Sequence, residues 1–113
     1  MVLAACGGGG GGGSSSGAQA PAPTGALAHD AQVLQGRKVF ASTCATCHGI
    51  SGGGGVGPSF ADGKLLKDFP DPDAQVAFVK QGKDAMPAFA GVLTNAQIRA
   101  VVRYEREVLS HPK

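Results

Sequence analysis

The sequence predicts an all-α fold, and three features support this prediction. Apolar residues recur at helical spacing in three segments after residue 29. Residues typical of helix starts and ends flank these segments. No segment alternates between polar and apolar residues for long enough to predict a strand. We therefore expect a small bundle of three to four helices.

The chain divides into two parts of different composition. All 10 basic and 8 acidic side chains lie at or after Asp30, whereas residues 1–25 hold 9 of the 19 glycines. Such a glycine-rich segment buries too little apolar surface to offset its ordering entropy. We expect a flexible tether over residues 1–25 and one folded domain over residues 26–113. This domain is too small for a Rossmann or barrel enzyme, and a net charge of +2 does not favour nucleic-acid binding.

The N-terminus carries a possible modification site. The run Leu3-Ala4-Ala5-Cys6 resembles the lipobox of bacterial lipoproteins, in which the cysteine is acylated. The resemblance implies a lipid anchor on Cys6 at the extracytoplasmic face of a membrane, or a periplasmic protein. Only five residues precede Cys6, fewer than the apolar core of a signal peptide needs. Either translation starts further upstream or the cysteine is incidental in a disordered tail. The sequence has no apolar run of 18 residues, so it predicts no transmembrane helix.

The first helix is predicted from about Asp30 to Thr43, with Asp30 as its N-cap. Gly36 lies inside it at a cost of about 1 kcal/mol relative to Ala, so we expect a packing reason for this glycine. A short helix over Lys64–Lys67 is only weakly indicated.

Two further helices follow. One runs from about Asp73 to Gln81, started by Asp71-Pro72-Asp73 and ended by Gly82. The other begins with a capping box at Thr94-Asn95-Ala96-Gln97. Its apolar residues then recur at helical spacing: Ile98, Val101, Val102, Val108 and Leu109.

The most specific functional motif in the sequence is the run Cys44-Ala45-Thr46-Cys47-His48. C-x-x-C-H is the attachment pattern of c-type haem. Two thiols on one helical turn can reach the two vinyl groups of one macrocycle and form thioethers. The adjacent His48 then faces the iron as the proximal ligand. We therefore expect one covalently attached haem c.

Three other uses of these cysteines compete with haem. A thioredoxin-like dithiol needs a βαβ surrounding, which the sequence does not predict. A structural zinc site needs four ligands, and no second Cys/His pair has suitable spacing. A disulfide between Cys44 and Cys47, as in an extracytoplasmic binding module, would be strained and would leave His48 without a role.

Residues from about 30 to 110 resemble class I cytochromes c. Gly36 and Phe40 match the glycine and aromatic of that family's first helix, and Tyr104 matches the aromatic that they meet on the last helix. The resemblance implies the small cytochrome c fold, with three to four helices around one haem. A small residue at position 36 then lets two helix backbones cross closely.

The resemblance also assigns residues on the two sides of the haem. Gly57-Pro58 matches a turn whose proline carbonyl accepts a hydrogen bond from the proximal histidine, and Phe60 would pack on the haem. The family's distal ligand is a methionine before a proline, which Met86 matches. Met86 is the only methionine apart from the first residue. His29 and His111 are alternative ligands at the edges of the domain.

The sequence thus implies a monomeric single-electron carrier, not an enzyme, with His48 and Met86 as axial ligands. Its partners would be membrane or extracytoplasmic redox proteins such as an oxidase, reductase or dehydrogenase. Lysines near the haem crevice could steer an acidic partner, but interleaved aspartates favour a mixed solvated surface. The alternative is a haem sensor or peroxidase with an open or labile sixth position.

Overall fold

The computed structural model describes residues 19–55 and 57–110. A 3-10 turn (Gly25–His29) precedes five α-helices, which we label α1 (Ala31–Val39), α2 (Ala45–His48), α3 (Lys64–Asp68), α4 (Pro72–Gln81) and α5 (Asn95–Tyr104). A π-helical turn (Phe40–Cys44) connects α1 to α2, and another (Glu105–Leu109) extends α5. The described residues form no strand beyond an isolated bridge between Lys83 and Met86. The all-α prediction is confirmed.

The first helix begins as predicted and ends later. The Asp30 carboxylate accepts hydrogen bonds from the backbone N–H groups of Gln32 and Val33, at 3.0 and 3.2 Å. The predicted end at Thr43 is wrong, because the helical path continues through the π turn and α2 to His48. The C-x-x-C-H run therefore forms the end of a continuous helical segment that starts at Ala31.

The caps of α4 and α5 follow the predicted residue types. The Asp71 carboxylate accepts from the N–H of Asp73 at 2.9 Å, and Gly82 ends α4 with φ of +71°. The capping box of α5 is present, since Thr94 and Gln97 exchange side-chain and backbone hydrogen bonds at 2.8 and 3.1 Å. Both predictions are confirmed.

Gly36 lies where α1 crosses α5. A Cβ atom on Gly36 would be 2.6 Å from the carbonyl carbon of Ala100 and 2.8 Å from Cβ of Tyr104, which is too close for any larger residue. The Phe40 and Tyr104 rings meet beside this crossing, with their centroids 5.7 Å apart. The expected packing reason for the glycine, a close approach of two helix backbones, is confirmed.

Helix α5 connects the two halves of the hydrophobic core. Val101 and Tyr104 belong to a buried cluster with residues of α1 and the first π turn, whereas Ile98 and Val102 pack against apolar residues of α4. The buried residues of α4 in that second cluster are Val76 and Val79. Because α5 touches both groups, it fixes the position of α4 relative to the C-x-x-C-H segment.

The segment before the 3-10 turn also packs on this crossing. Ala20 is buried, and its carbonyl oxygen accepts a hydrogen bond from Nε of Arg37 at 2.9 Å. The Tyr104 hydroxyl donates to the carbonyl oxygen of Pro21 at 2.6 Å. Packed structure thus begins before residue 26, within the segment predicted as a tether. Cys6 and the glycine run lie outside the described residues.

Within the described ranges, no helix has the length and apolar character needed to cross a membrane.

Candidate functional site

A cavity of about 770 Å³ opens between α2, α3, α4 and the loop that follows α4. All of the haem-binding residues predicted from the sequence line it: Cys44, Cys47, His48, Pro58, Phe60 and Met86. The fold therefore brings together side chains that are up to 42 positions apart in the sequence, from Cys44 to Met86. A cavity of this volume is typical of sites that bind small molecules and cofactors.

His48, at the end of α2, is held by its second ring nitrogen. Its Nδ1 lies 2.9 Å from the carbonyl oxygen of Pro58, and the side chain is buried. A carbonyl oxygen can only accept a hydrogen bond, so Nδ1 carries the proton and Nε2 keeps its lone pair. The backbone of Pro58 thus prepares the imidazole to bind a metal through Nε2.

The glycine-rich loop after α2 wraps closely around His48. The N–H of Gly54 donates to the carbonyl oxygen of His48 at 2.8 Å, and the N–H of Gly57 donates to that of Cys47 at 2.6 Å. A Cβ atom on Gly57 would be 2.6 Å from Cε1 of the His48 ring. The ring of Phe60 stacks on His48, with centroids 4.4 Å apart. The loop therefore fixes the imidazole from several directions.

Cys44 and Cys47 are free thiols on one side of the cavity. Burial, together with the neighbouring Glu105 carboxyl, raises the pKa of the Cys44 thiol to about 12. At neutral pH this cysteine is therefore a protonated thiol, which is a poor nucleophile and a poor zinc ligand. This environment does not favour the dithiol or zinc alternatives. Among the described residues, no cluster of three or more His, Cys, Asp or Glu side chains is arranged to hold a metal ion.

Met86 lines the same cavity and lies half-buried in a tight turn after α4. Its N–H and carbonyl exchange hydrogen bonds with those of Lys83, at 2.9 and 3.0 Å. Gly82 allows this turn, because a Cβ atom there would be 2.6 Å from the carbonyl oxygen of Met86. The N–H of Phe89 ties the loop back to the carbonyl of Val79 on α4, at 3.1 Å. The sulfur-bearing loop is thus fixed by its own backbone.

Of the two alternative histidine ligands, the structure describes only His29. His29 ends the 3-10 turn and is not among the cavity-lining residues. His111 lies outside the described residues.

Sequence reasoning missed a buried polar pair in the cavity wall. Glu105 and Gln75 both line the cavity and are 4% and 2% exposed, and Nε2 of Gln75 donates to Oε1 of Glu105 at 3.1 Å. Burial raises the pKa of the Glu105 carboxyl to about 8. The sequence does contain one indication that Glu105 is buried. Residue 105 continues the apolar stripe formed by Ile98, Val101 and Val102.

The side chains of the cavity fit a haem. Two thiols lie one helical turn apart, an imidazole has its Nε2 lone pair free, and a thioether comes from a separate loop. Much of the remaining wall is apolar, with Leu65, Phe69, Phe78, Val79 and Phe89. Imidazole, thioether and thioether-forming thiols in an apolar cavity are the donor set of a c-type haem site.

Comparison with known proteins identifies relatives of this chain. Residues 31–104 match the family described as cytochrome c oxidase, cbb3-type, subunit III. Cytochrome c6 from Parathermosynechococcus lividus is 42% identical over 80 residues, which cover 66% of this chain and 87% of that protein.

Solved structures show the same fold. Cytochrome c6C from Synechococcus sp. PCC 7002 superposes with a TM-score of 0.58 at 28% identity, covering 67% of this chain and 95% of that one. A chain from the electron transfer complex of nitrite reductase with cytochrome c gives a TM-score of 0.57 at 32% identity, covering 68% of this chain and 95% of that chain.

Proposed function

This chain belongs to the class I c-type cytochromes, small electron carriers with one covalently bound haem, and from this premise we propose how its residues hold and use that haem. Cys44 and Cys47 would form the thioethers, and His48 and Met86 would be the residues that bind the iron. The haem supplies the one-electron exchange between ferric and ferrous iron. The protein supplies its position, its ligands and the exclusion of water.

One observation carries the proposal most strongly: His48 and Met86 line the same cavity as both cysteines. The Pro58 carbonyl orients the imidazole and raises its basicity, and Phe60 packs beside the ring. The backbone hydrogen bonds between Lys83 and Met86 fix the turn that brings Met86 to the cavity wall. A neutral thioether favours ferrous iron and raises the reduction potential, which suits an electron carrier.

With both of these ligands in place the iron would have no free position for substrate, which suits a carrier and not an enzyme. A haem sensor or peroxidase needs an open sixth position, and a distal histidine or arginine would favour it. The stretch from residue 82 to residue 91 contains neither residue type. We keep the sensor or peroxidase as the alternative that the spectroscopic test below distinguishes.

The proposed setting is the extracytoplasmic side of a bacterial membrane. A lipid on Cys6 would anchor the chain there, and the glycine-rich stretch would act as the tether. Packing of Ala20 and Pro21 on the α1–α5 crossing supports a defined attachment point where the tether meets the domain. Acting as a monomer, the domain exchanges electrons with redox proteins such as an oxidase, a reductase or a dehydrogenase. A nitrite reductase is one such partner class, because a cytochrome c of similar fold was solved in complex with one.

Two variants of Met86 test the ligand assignment. Methionine ligation gives the ferric protein a weak far-red sulfur-to-iron charge-transfer band. Met86→Leu keeps the side-chain volume and should lose this band, lower the potential and admit carbon monoxide to the ferrous iron. Met86→His should also lose the band and lower the potential, but it should exclude carbon monoxide, because imidazole restores six-coordination.

Leu93→Met provides the control, since Leu93 packs near Met86 in the same cluster but is not among the cavity-lining residues. This variant should keep the native band and the native resistance to carbon monoxide. If the native protein shows the far-red band and the Met86→Leu variant keeps it, the assignment of Met86 as a ligand is refuted.

A further inference from the structure

The cavity wall contains a carboxyl group that electron transfer itself does not require. Glu105 starts the second π turn and is only 4% exposed, although glutamate is rarely buried unless it is paired with a charge. It lines the cavity that we assign to the haem. π-Helical turns are frequent at functional sites. Its position raises the question of what compensates the charge of the ionised carboxylate.

The partners of Glu105 are neutral. Nε2 of Gln75 donates to its carboxyl at 3.1 Å, and the Cys44 thiol is its other hydrogen-bonding neighbour. The adjacent cation, Arg106, donates instead to Oε1 of Gln75 at 3.1 Å and to two backbone carbonyls. None of the ion pairs between described residues includes Glu105. A buried carboxylate in this position lacks a compensating charge.

The other ionisable groups around the cavity are placed differently. From α3, Lys64 and Asp68 pair with each other at 3.0 Å and are half-exposed. From the Met86 loop, Lys83 and Asp84 are exposed. The remaining ionisable cavity-lining groups are Cys44, Cys47 and His48. In the haem-loaded protein the two sulfurs would form thioethers and His48 would bind iron, so among the described protein groups that line the cavity Glu105 is the buried carboxyl left to titrate.

Haem attachment makes the environment of Glu105 less favourable to charge. The Cys44 thiol has a hydrogen to donate, whereas a thioether has none, so Gln75 becomes the remaining donor to the carboxylate. Burial already raises the pKa of Glu105 to about 8, which is near the neutral range. Each electron added to the haem removes a positive charge from the cavity, and this change favours the protonated acid further.

We propose that Glu105 is a proton acceptor coupled to the haem, so that this chain carries a proton together with its electron. The inference rests on the proposed occupation of the cavity by haem. At a pH where Glu105 is ionised in the oxidised protein, the Glu105 carboxylate would take one proton from water and become a carboxylic acid as one electron arrives from a redox partner. Reoxidation gives the electron to the acceptor and returns the proton to water. The O–H bond of the carboxyl group is the covalent bond that forms and breaks.

The test is a spectroelectrochemical titration of the haem-loaded protein between about pH 5 and pH 10. In the native protein the midpoint potential should fall as pH rises. At its steepest, the reduction equilibrium should change by nearly tenfold per pH unit, which corresponds to 59 mV for one electron. Glu105→Gln, which cannot ionise, should remove this slope. Glu107→Gln is the matched control, because Glu107 lies in the same π turn but pairs with Arg103 near the surface. It should keep the native slope.

A flat native titration, or a slope that persists in Glu105→Gln, would overturn the proposal. Recording the far-red band on the same samples separates the two hypotheses. A native protein with the methionine band but no pH dependence contradicts the proton coupling and leaves the ligand assignment intact. A protein with the pH dependence but without the band contradicts the ligand assignment alone.

A second variant keeps the test decisive if Glu105→Gln does not mature. Gln75→Leu retains the carboxyl but removes its amide donor, so the pH at which the potential begins to fall should move upward. An unchanged titration in Gln75→Leu would overturn the proposal. In the native protein, a redox-induced infrared difference spectrum should show a protonated-carboxyl stretch that gains intensity on reduction and shifts in deuterium oxide. Its absence would contradict proton uptake by Glu105.

Discussion

Replacing Gly57 by alanine should disturb the proximal histidine directly. A Cβ atom at this position would be 2.6 Å from Cε1 and 2.7 Å from Nδ1 of His48. Ordinary contact begins at 3.4 Å, so the imidazole or the loop must retreat by about 0.8 Å. The ring cannot make this movement easily, because Phe60 stacks on it and Pro58 holds its Nδ1.

The expected cost follows from overpacking. Inserting a methyl group into such a contact costs about 1–3 kcal/mol of the free energy of unfolding, which lowers the Tm of a domain of this size by roughly 4–24 °C. The Nδ1 hydrogen bond to Pro58 should lengthen and make the imidazole less basic. A less basic ligand stabilises ferric iron less, so the reduction potential should rise.

The assay combines thermal unfolding followed by circular dichroism with redox titration of the haem-loaded protein. Gly53→Ala is the matched control in the same loop, since its Cβ would meet only Oγ of Ser51, at 3.6 Å. This control should leave both the Tm and the potential close to native values. If Gly57→Ala were as stable as Gly53→Ala and had the same potential, the proposed role of the loop in fixing His48 would be refuted.

Three further predictions concern the fold and the attachment of the haem. Gly36→Ala should lower the free energy of unfolding by about 1–3 kcal/mol, because its Cβ would press on the backbone of α5. Gly91→Ala should be nearly neutral, since its Cβ would have no atom of the described residues within 4 Å, and urea unfolding compares the two variants. Replacing both Cys44 and Cys47 by alanine should let acid–acetone extract any haem, while the native protein keeps it; free extraction from the native chain would contradict the thioethers. Hydrogen bonds from the N–H of Val33 and from Arg103 hold the pKa of Asp30 below its usual value of 3.8. The ionised Asp30 side chain therefore stabilises the fold fully above pH 3.8, and this stabilisation is lost as the pH falls through the lowered pKa. In acid unfolding, Asp30→Asn should therefore reduce the loss of stability below about pH 4, and an unchanged acid profile would contradict this.

Local sequence signals predicted the helix starts well, because each start depends on side chains next to it. Asp30, Asp71 and Thr94 accept hydrogen bonds from backbone groups two or three residues later, as expected from short-range capping rules. Gly36 was informative for the opposite reason. A glycine inside a helix costs stability, so its presence indicated a close contact with another element.

The features that the sequence did not reveal depend on longer-range packing. The two π turns lie almost entirely within helices that the sequence predicts, but no local residue pattern marks them as π-helical. Residue 105 continues the apolar stripe of α5, but helical spacing alone does not show whether a carboxylate there is buried or turned towards solvent. The answer depends on Gln75, 30 positions away, which provides its hydrogen-bond donor. The packing of Ala20 and Pro21 likewise depends on Arg37 and Tyr104.

The most direct test of the central claim is the reaction of the reduced native protein with carbon monoxide, read together with the far-red spectrum of the oxidised protein. If His48 and Met86 fill both axial positions of one covalently bound haem, the ferric form shows the weak sulfur-to-iron band. The ferrous form then keeps its spectrum under carbon monoxide. A missing band together with rapid carbon monoxide binding would show an open iron site and would replace the electron carrier by the sensor or peroxidase alternative.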